Sequence, residues 1–595
     1  MHFAIPAPPW IFERFPGGLA IAQNFAQYRV RHEGIFHMLR IAARALVALA
    51  ILSPLAALAA YPGHPATSPE ITAADLSARD KAISDDAFEG RGPGTKNGEA
   101  AAQWIADELK RMGIKPANHG SYFQAVPAVS ITLDAPHSRF SIATPKGAMT
   151  PRFADDVMYW TPQFAGPDVA VKNSALVFVG YGVVAPEYHW NDYAGLDVKG
   201  KTVVILVNDP GNEDAHPDPN FFKGRAMTYY GRWTYKYEEA ARHGAVAAII
   251  VHETKPAAYP WQVVRSSNGA AKLWLEASDQ NRSALPIDAW ITLDTAKDLF
   301  ARAGLDYEKL KAAANRRGFK AVPMTGESLT VAAHSTISHL QTRNVVGIIP
   351  GNTHPGDIVM FSAHWDHLGR KDNLAGPDKI YNGAVDNGMG VSMISELAEK
   401  FVHEPPPERS LVFAFWTLEE QGLLGSEYFA EHPIWPRNHI VGVINLDGDG
   451  PRPRSHDIEA SGTGQSEMED VLKKALATQH RTLSPDAEPE KGGFYRSDHF
   501  SLAKLGIPAI SPGGGRDLLV GGKVAGQKLA DDYNDHRYHQ PSDEWRADWD
   551  LSGPVEDMQA YYVAGKNLAN SDSWPNYYKD SEFRAARDKD MAAKR

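Results

Sequence analysis

The stretch LVFAFWTLEEQGLLGSEYFAEH, residues 411–432, joins an apolar run directly to two adjacent glutamates. Its first seven residues are mostly β-branched, aromatic or aliphatic, and they have the length of one buried strand. Glu419 and Glu420 follow where that strand is predicted to end. Adjacent glutamates are usually a solvated surface pair, and two like charges are costly where water is excluded. Their position at the end of a buried strand therefore indicates a chemical role.

The sequence around this stretch alternates strands with helices. Runs of similar character occur at DIVMFSAH (357–364) and HIVGVINL (439–446). Between them, GVSMISELAEKF (390–401) places its apolar residues on one helical face. Apolar strands that alternate with amphipathic helices predict an α/β fold, with a mostly parallel mixed sheet flanked by helices.

Polar side chains follow each of these strands. They are His364, Asp366 and His367 after the first, Glu419 and Glu420 after the second, Asp447 and Asp449 after the third, and Asp386 before the helix. Ligands of α/β sheets bind beyond the carboxyl ends of the strands, so these clusters should converge. Gathered carboxylates repel one another unless a cation intervenes. Imidazole and carboxylate donors without sulfur suit zinc, manganese or cobalt, and their number allows a pair of ions.

Length, charge and cysteine content restrict the class of protein. A chain of 595 residues predicts two to four domains. The net charge of −11 argues against nucleic acid as a partner, because there is no basic surplus to neutralise phosphates. The absence of cysteine excludes disulfides, thiolate nucleophiles and Cys-ligated zinc.

The N-terminal residues 1–60 are interpreted as a leader and signal peptide. MLRIAARALVALAILSPLAALAA (38–60) has basic residues, then an apolar run, then small residues, which is the layout of a secretory signal. We expect the true start at Met38 and a periplasmic or secreted bacterial protein. The apolar run is shorter than the ~20 residues of a spanning helix, so cleavage is favoured over a retained membrane anchor.

The pattern of predicted strands and helices changes twice along the rest of the chain. Residues 61–134 contain a Gly-rich loop and a helix, and residues 336–595 carry the regular strand–helix alternation. Residues 135–335 between them have strands at 175–184 and 201–209 but no tight cluster of metal-type ligands. We therefore predict that this segment is a separate inserted domain.

Six motifs in order resemble the M28 family of zinc peptidases, the co-catalytic di-zinc aminopeptidases. The motifs are FSAHWDHLG, NGAVDNGMGVSMISELAE, FAFWTLEEQGLLGS, VINLDGDG, YRSDHFSLAKLGIPAI and YHQPSDEW, and the resemblance extends from about residue 75 to about 570. Residues 135–335 resemble the β-rich protease-associated (PA) domain that some members insert. The resemblance implies a zinc-exopeptidase-like α/β fold for the remainder.

The resemblance implies two Zn²⁺ ions per chain. Its ligands would be His364, Asp386, Glu420, Asp447 and His539, with Asp386 bridging both ions. His536 competes with His539 for the last position, and the YH context favours His539. His367 and Asp449 are interpreted as structural, and Asp498 as a residue near the substrate pocket rather than a ligand.

The resemblance also implies catalytic roles for three residues. Glu419 resembles the general base that takes a proton from a metal-activated bridging water, and Asp366 resembles the carboxylate that orients His364. Tyr538 matches a position that steadies the tetrahedral intermediate in some relatives. The peptide bond between Asp386 and Asn387 is expected to be cis, as is frequent in the family.

These expectations favour a di-zinc exopeptidase that acts on peptides, with an aminopeptidase as the first hypothesis. A glutamate-releasing carboxypeptidase and a one-zinc glutaminyl cyclase on the same fold stay open, as does a binding ectodomain without activity. The carboxypeptidase would need an arginine cluster, which the sequence alone does not place.

The glycine-rich residues 512–522 lack the ending of a phosphate loop and are interpreted as a loop near the site. Oligomeric state and residue preference are left open.

Overall fold

The computed structural model describes residues 61–214, 216–374 and 376–594. The predicted leader, with Met38, lies outside these residues. The strands are β1 (Lys115–Pro116), β2 (Phe123–Leu133), β3 (Arg139–Ala143), β4 (Val157–Trp160), β5 (Asp168–Phe178), β6 (Val184–Ala185), β7 (Trp190–Asn191), β8 (Thr202–Leu206), β9 (Ala247–His252), β10 (Lys272–Leu275), β11 (Ile287–Thr292), β12 (Val322–Ile349), β13 (His354–His364), β14 (Arg409–Trp416), β15 (Ile440–Asn445), β16 (Asp457–Ala460), β17 (Thr482–Pro485), β18 (Ala509–Ile510) and β19 (Pro512–Gly513).

The helices are α1 (Ala73–Ile83), α2 (Lys96–Arg111), α3 (Trp233–Arg242), α4 (Thr254–Ala257), α5 (Trp261–Asn268), α6 (Leu293–Arg302), α7 (Tyr307–Ala314), α8 (Gly390–Val402), α9 (Leu424–Glu431), α10 (Met468–Ala477), α11 (His499–Lys504), α12 (Gly522–His536), α13 (Ser552–Ala569) and α14 (Arg584–Lys594). A π-helical turn, Ala384–Met389, precedes α8. Among the described residues, no helix is both long and apolar enough to cross a membrane.

The predicted α/β sheet is present in the main unit, by which we mean residues 61–134 and 336–594. Its strands run in the order β18, β15, β13, β14, β12. The first four are parallel, and β12 is antiparallel to β14. Every residue of β14 is buried, as a parallel strand covered on both faces requires.

Alternate residues of the main strands enter two different cores. Phe361 and Phe413 belong to a core that contains residues of α2, α8, α10 and α13. Met360 and Val412, their chain neighbours, belong to a core with residues of α9 and α11 on the opposite face. The side-chain period of two in a strand thus sandwiches the sheet between helices.

Residues 135–335, called the insert below, form a second sheet with its own cores. Its strands β5, β8, β9 and β11 are parallel, and β4 is antiparallel to β11. Two buried clusters lie on the two faces of this sheet. The segment is less purely β-structured than expected, because it also contains α3 to α7. Its assignment as a PA domain stays a prediction.

Strand β12 connects the two sheets without a break. Its N-terminal part pairs with β3 and β5 of the insert, and its C-terminal part pairs with β14 of the main unit. The predicted boundary between 335 and 336 therefore falls inside a continuous strand. The insert is therefore joined to the main unit through one shared strand.

Candidate metal centre

The predicted site residues meet at the carboxyl edge of the parallel strands. His364 is the last residue of β13, Glu419 and Glu420 follow β14, and Asp447 follows β15. Asp386 lies in the π-helical turn before α8. The topology thus brings together side chains that the sequence separates widely, as the strand-end argument predicted.

The first group of potential ligands contains His364, Asp386 and Asp447. The Nε2 atom of His364 lies 3.3 Å from Oδ1 of Asp386 and 3.5 Å from Oδ1 of Asp447. One ligand atom from each residue lies within 4.8 Å of the others. His364 is almost fully buried, so these nitrogen and oxygen atoms face a common, water-poor point.

The second group contains Asp386, Glu420 and His539. The Nε2 atom of His539 lies 3.1 Å from Oδ2 of Asp386 and 3.1 Å from Oε2 of Glu420. His539 has a backbone φ of 56°, in the left-handed region that non-glycine residues rarely occupy. The competing His536 is exposed and pairs with Asp532.

Asp386 belongs to both groups. Its Oδ1 atom faces His364 and its Oδ2 atom faces His539. The peptide bond to Asn387 is cis, which confirms the expectation from the sequence. The carboxylate of Asp543 accepts hydrogen bonds from the backbone N–H groups of Val385 and Asp386, at 3.2 and 3.1 Å. The carboxylate of Asp543 therefore fixes the turn that presents the bridging residue.

His367, which the sequence analysis interpreted as structural, lies against Glu420. Its Nδ1 atom is 2.5 Å from Oε1 of Glu420, while the other carboxylate oxygen faces His539. The His367 ring is fully buried, and one ligand atom each of His367, Asp386 and Glu420 lie within 4.8 Å of one another, so that His367 is itself a candidate ligand of the second group. This contact orients Glu420, and only the short spacing in HWDH could have suggested it.

Asp366 is buried beside His364, but its carboxylate does not make the orienting contact. The Nδ1 atom of His364 lies 3.0 Å from the backbone carbonyl of Asp366 and 3.9 Å from its carboxylate. The carboxylate instead accepts a hydrogen bond of 3.1 Å from the backbone N–H of Glu419. Asp366 thus positions both the first imidazole and the predicted base.

Glu419 differs from its neighbour Glu420 in having an unengaged carboxylate. Within residues 61–214, 216–374 and 376–594, its carboxylate makes no hydrogen bond or ion pair, whereas Glu420 contacts His367 and His539. Burial, with the negative charges of Asp447 and Asp498, raises the pKa of Glu419 well above its usual value. A carboxylate of this kind is suited to taking up a proton.

Charge in the two groups is balanced between imidazoles and carboxylates. Burial and Asp386 would raise the pKa of Glu420, but His367 and His539 lower it to about 2. Burial would lower the pKa of His539, but Asp386 and Glu420 raise it to about 10. Burial likewise opposes the charged form of His364, yet Glu419 and Asp447 raise its pKa well above the usual value.

A small polar network supports Asp447. The hydroxyl of Ser497 donates to Oδ2 of Asp447, and the side-chain amide of Asn445 donates to that hydroxyl at 2.8 Å. Asp449 points elsewhere and pairs with Arg452. Asp498 is fully buried and belongs to neither group.

The buried side chain of Arg91 supports the backbone that leads into the turn with Asp386. Its guanidinium donates to the backbone carbonyls of Trp365, Asn382 and Gly383, at 2.8, 2.6 and 2.7 Å. These carbonyls belong to the two ends of the segment that joins β13 to the turn 384–389. The sequence showed Arg91 only as part of a Gly-rich loop, and no local pattern indicated this role.

The two groups open into a cleft of about 1570 Å³ between the insert and the main unit. Tyr538 lines it, with 38% of its surface exposed and its ring stacked on His539 at 4.0 Å between centroids. Gly513 to Arg516, from the glycine-rich loop, also line the cleft. The insert contributes Arg232, and the main unit contributes Arg496.

A family model described as peptidase family M28 matches residues 344–563, the part of the chain that holds all five predicted ligands. Among curated proteins, a glutamate carboxypeptidase 2 homolog of Caenorhabditis elegans is 24% identical over 436 residues, which cover 61% of this chain and 54% of that protein. A vacuolar membrane protease of Eremothecium gossypii is 31% identical over 156 residues, which cover 26% and 13%. The chain thus spans about half of the first relative and a small part of the second.

Among solved structures, one match is an aminopeptidase from Aneurinibacillus sp. strain AM-1. The match covers 85% of this chain and 96% of that chain, with 18% identity and a TM-score of 0.46.

Proposed function

The chain belongs to peptidase family M28, whose members depend on zinc, and from this premise we propose that it is a two-zinc exopeptidase that removes N-terminal residues from peptides. The division of the Asp386 carboxylate between His364 and His539 is the observation that carries the proposal. One carboxylate shared by two ligand groups is the arrangement of a two-metal hydrolytic site.

The donors fit zinc. Two imidazoles and three carboxylates converge without sulfur, a set that zinc accepts. The carboxylates favour protonated imidazoles: burial would lower the pKa of His539, but Asp386 and Glu420 raise it to about 10. A divalent cation would supply the same positive charge while displacing those protons.

Glu419 is the proposed general base. When bound, zinc polarises the scissile carbonyl, lowers the pKa of water and offsets the negative charge around Glu419. The free carboxylate of Glu419 takes a proton from the attacking water and passes it to the leaving amine. Asp366 holds the backbone of Glu419 in place through its 3.1 Å hydrogen bond.

Acidic groups in the cleft favour a substrate with a free N-terminus. Glu427, on α9, lines the cleft and has no ion-pair partner among the described residues. Burial raises its pKa to about 7, so that a nearby ammonium group would favour its ionised form. Together with the carboxylates of the two groups, Glu427 makes this part of the cleft attractive to a protonated amine.

Release of a C-terminal residue is a second candidate, favoured by Arg232 and Arg496. Both line the cleft, and within the described parts of the chain neither has a carboxylate partner. The Nε atom of Arg232 is buried without an acceptor, and burial lowers the pKa of this guanidinium to about 10. A free substrate carboxylate would satisfy such guanidinium groups. The carboxypeptidase name of the C. elegans relative agrees with this candidate.

Two substrate series decide between these candidates. We expect the zinc-loaded protein to hydrolyse aminoacyl-p-nitroanilides and to leave N-acylated dipeptides with a free carboxylate intact. Cleavage of only the second series would favour the carboxypeptidase.

Glu419→Gln tests the proposed base in whichever series is cleaved. The substitution removes the proton acceptor, and we expect kcat to fall by about 10²–10⁴-fold, the usual contribution of a general base. The zinc content should be unchanged, because Glu419 lies outside both ligand groups. Glu431→Gln, at an exposed glutamate that also lines the cleft, is the control with expected wild-type activity. A Glu419→Gln protein with full zinc and full activity would remove Glu419 as the base.

A further inference from the structure

Glu582 is a buried carboxylate in the segment between α13 and α14, beyond the part of the chain that matches the family model. Only 4% of its side chain is exposed. Its Oε1 atom accepts from the hydroxyl of Tyr495 at 2.8 Å and from the backbone N–H of Tyr229 at 3.3 Å. Its Oε2 atom lies 3.2 Å from the ammonium of Lys223. Burial opposes ionisation, but these partners hold the pKa of Glu582 below its usual value.

The partners of Glu582 come from both sides of the cleft. Lys223 and Tyr229 belong to the insert, whereas Tyr495 belongs to the main unit. Aromatic rings surround the contact: the ring of Tyr229 lies 5.2 Å from that of Phe500 and 6.3 Å from that of Tyr495. The carboxylate of Glu582 therefore makes a buried charged contact across a seam that is lined by aromatic rings.

This seam lies next to residues that face the substrate cleft. Tyr229 precedes Arg232 by three residues, and Tyr495 is the neighbour of Arg496. The two guanidiniums are close enough for Arg496 to lower the pKa of Arg232 further, after the larger effect of burial. A movement at Glu582 would change the separation of these two arginines.

We propose that Glu582 is a positioning residue that fixes the insert against the main unit and so sets Arg232 opposite Arg496 in the substrate cleft. The proposal rests on the proposed exopeptidase function, and it takes from the carboxypeptidase candidate the assignment of the two arginines to substrate binding. A merely stabilising ion pair would support the fold without affecting KM, and this difference can be measured.

Glu582→Gln keeps the size of the side chain and an acceptor for Tyr495 but loses the charge that pairs with Lys223. We expect KM for the cleaved substrate to rise about tenfold, equivalent to about 1.4 kcal/mol. We expect kcat to change less than about threefold and zinc content to stay the same, because no ligand is touched. Lys223→Met, outside the cleft lining, should have the same effect, and the double variant should be no worse than either single variant.

The control is Glu490→Gln. Glu490 forms a 2.7 Å ion pair with Arg225, and this pair also joins the insert to the main unit, but it is exposed, at 63% for Arg225 and 40% for Glu490. Exposed pairs contribute little, so KM should remain at the wild-type value.

Amide hydrogen exchange supplies a readout that needs no turnover. Met227 N–H donates across the seam to the Pro489 carbonyl at 3.0 Å, and Tyr229 N–H donates to Glu582. In zinc-loaded Glu582→Gln, exchange in residues 226–232 should accelerate, whereas Glu490→Gln should match the wild type. Exchange can be measured even if the wild type cleaves neither substrate series. It therefore tests the role of Glu582 in the seam separately from the proposed function.

An unchanged KM in Glu582→Gln and Lys223→Met would overturn the proposal, as would unchanged exchange in residues 226–232. Unfolding of both variants would also overturn it, because the ion pair would then serve stability alone.

Discussion

Asp386 is the one predicted ligand whose side chain belongs to both groups. Its two oxygen atoms face different imidazoles, at 3.3 and 3.1 Å, and its pKa lies well below the usual range because hydrogen bonds from His364 and His539 outweigh burial. Asp543 holds the backbone on which Asp386 sits. The acidity of this carboxylate therefore depends on neighbours from distant parts of the chain.

Titration of His499 gives a prediction at the scale of one residue. His499 is fully buried, and in the described structure neither ring nitrogen has a hydrogen-bond partner. Burial lowers its pKa from 6.5 to about 3. Between these values the unfolded chain binds a proton that the folded chain does not, so acidification through this window destabilises the fold.

We expect His499→Gln to remove that contribution. Between pH 6.5 and pH 5, the wild type should lose about 2 kcal/mol more of its free energy of unfolding than the variant does. Urea midpoints of the metal-free proteins at the two pH values measure the difference. His536→Gln, at a histidine with 70% exposure, should follow the wild type. An equal acid sensitivity of His499→Gln and the wild type would show that His499 is not a buried neutral group.

Sequence reasoning could predict that the five candidate ligands converge, because each follows a strand or lies in a quoted motif. It could not place His367 or Asp543, although both stand in the same motifs. Their roles depend on how the loops fold back: His367 contacts Glu420 from the loop after β13, and Asp543 reaches the turn before α8. Composition does not show such returns, and the short spacing in HWDH is the only local signal of the contact made by His367.

At the scale of elements, the junction between the turn 384–389 and helix α8 is tightly packed. Gly390 begins the helix, and its N–H donates to the side-chain carbonyl of Asn387 at 3.0 Å. The amide of Asn387 donates in turn to the Leu446 carbonyl at 2.9 Å. This bridge connects the segment carrying Asp386 to the end of β15, next to Asp447.

Gly390→Ala should break this bridge. An added Cβ would lie 2.2 Å from Oδ1 of Asn387 and 2.3 Å from the carbonyl oxygen of Leu446, both too close for contact. We expect a loss of about 1–3 kcal/mol in the free energy of unfolding, the usual cost of overpacking, and weaker zinc binding. Differential scanning calorimetry and zinc content measure both effects. Gly166→Ala, with nothing within 4 Å of its added Cβ, is the control. A Gly390→Ala protein as stable as the control would contradict the described packing.

The elements themselves were predictable where periodicity is strong. Helix α8 and strands β13, β14 and β15 lie within a few residues of their predicted ranges, because burial on both faces selects continuous apolar runs. The extent of β12 was not predictable, since its 28 residues pair with two sheets and its polar–apolar pattern changes along its length. Tertiary pairing determines where such a strand ends.

At the scale of the whole molecule, one continuous strand and one buried seam hold two sheets on either side of a cleft. The main unit contributes the ligand groups and Glu419, and the insert contributes Arg232 and Lys272 to the cleft wall. The carboxyl ends of β13, β14 and β15 point their polar residues toward that cleft. The described architecture thus places the candidate metal centre at the strand ends, with the insert forming part of the cleft wall.

The most direct test of the account is the number of zinc ions that each chain binds when zinc is added to the metal-free protein. Calorimetric titration and elemental analysis measure this number. We predict two zinc ions per chain for the wild type and for Glu419→Gln. We predict that Asp386→Asn binds neither ion tightly, because both groups lose the carboxylate they share. A wild type that binds one ion, or an Asp386→Asn protein that still binds two, would contradict it.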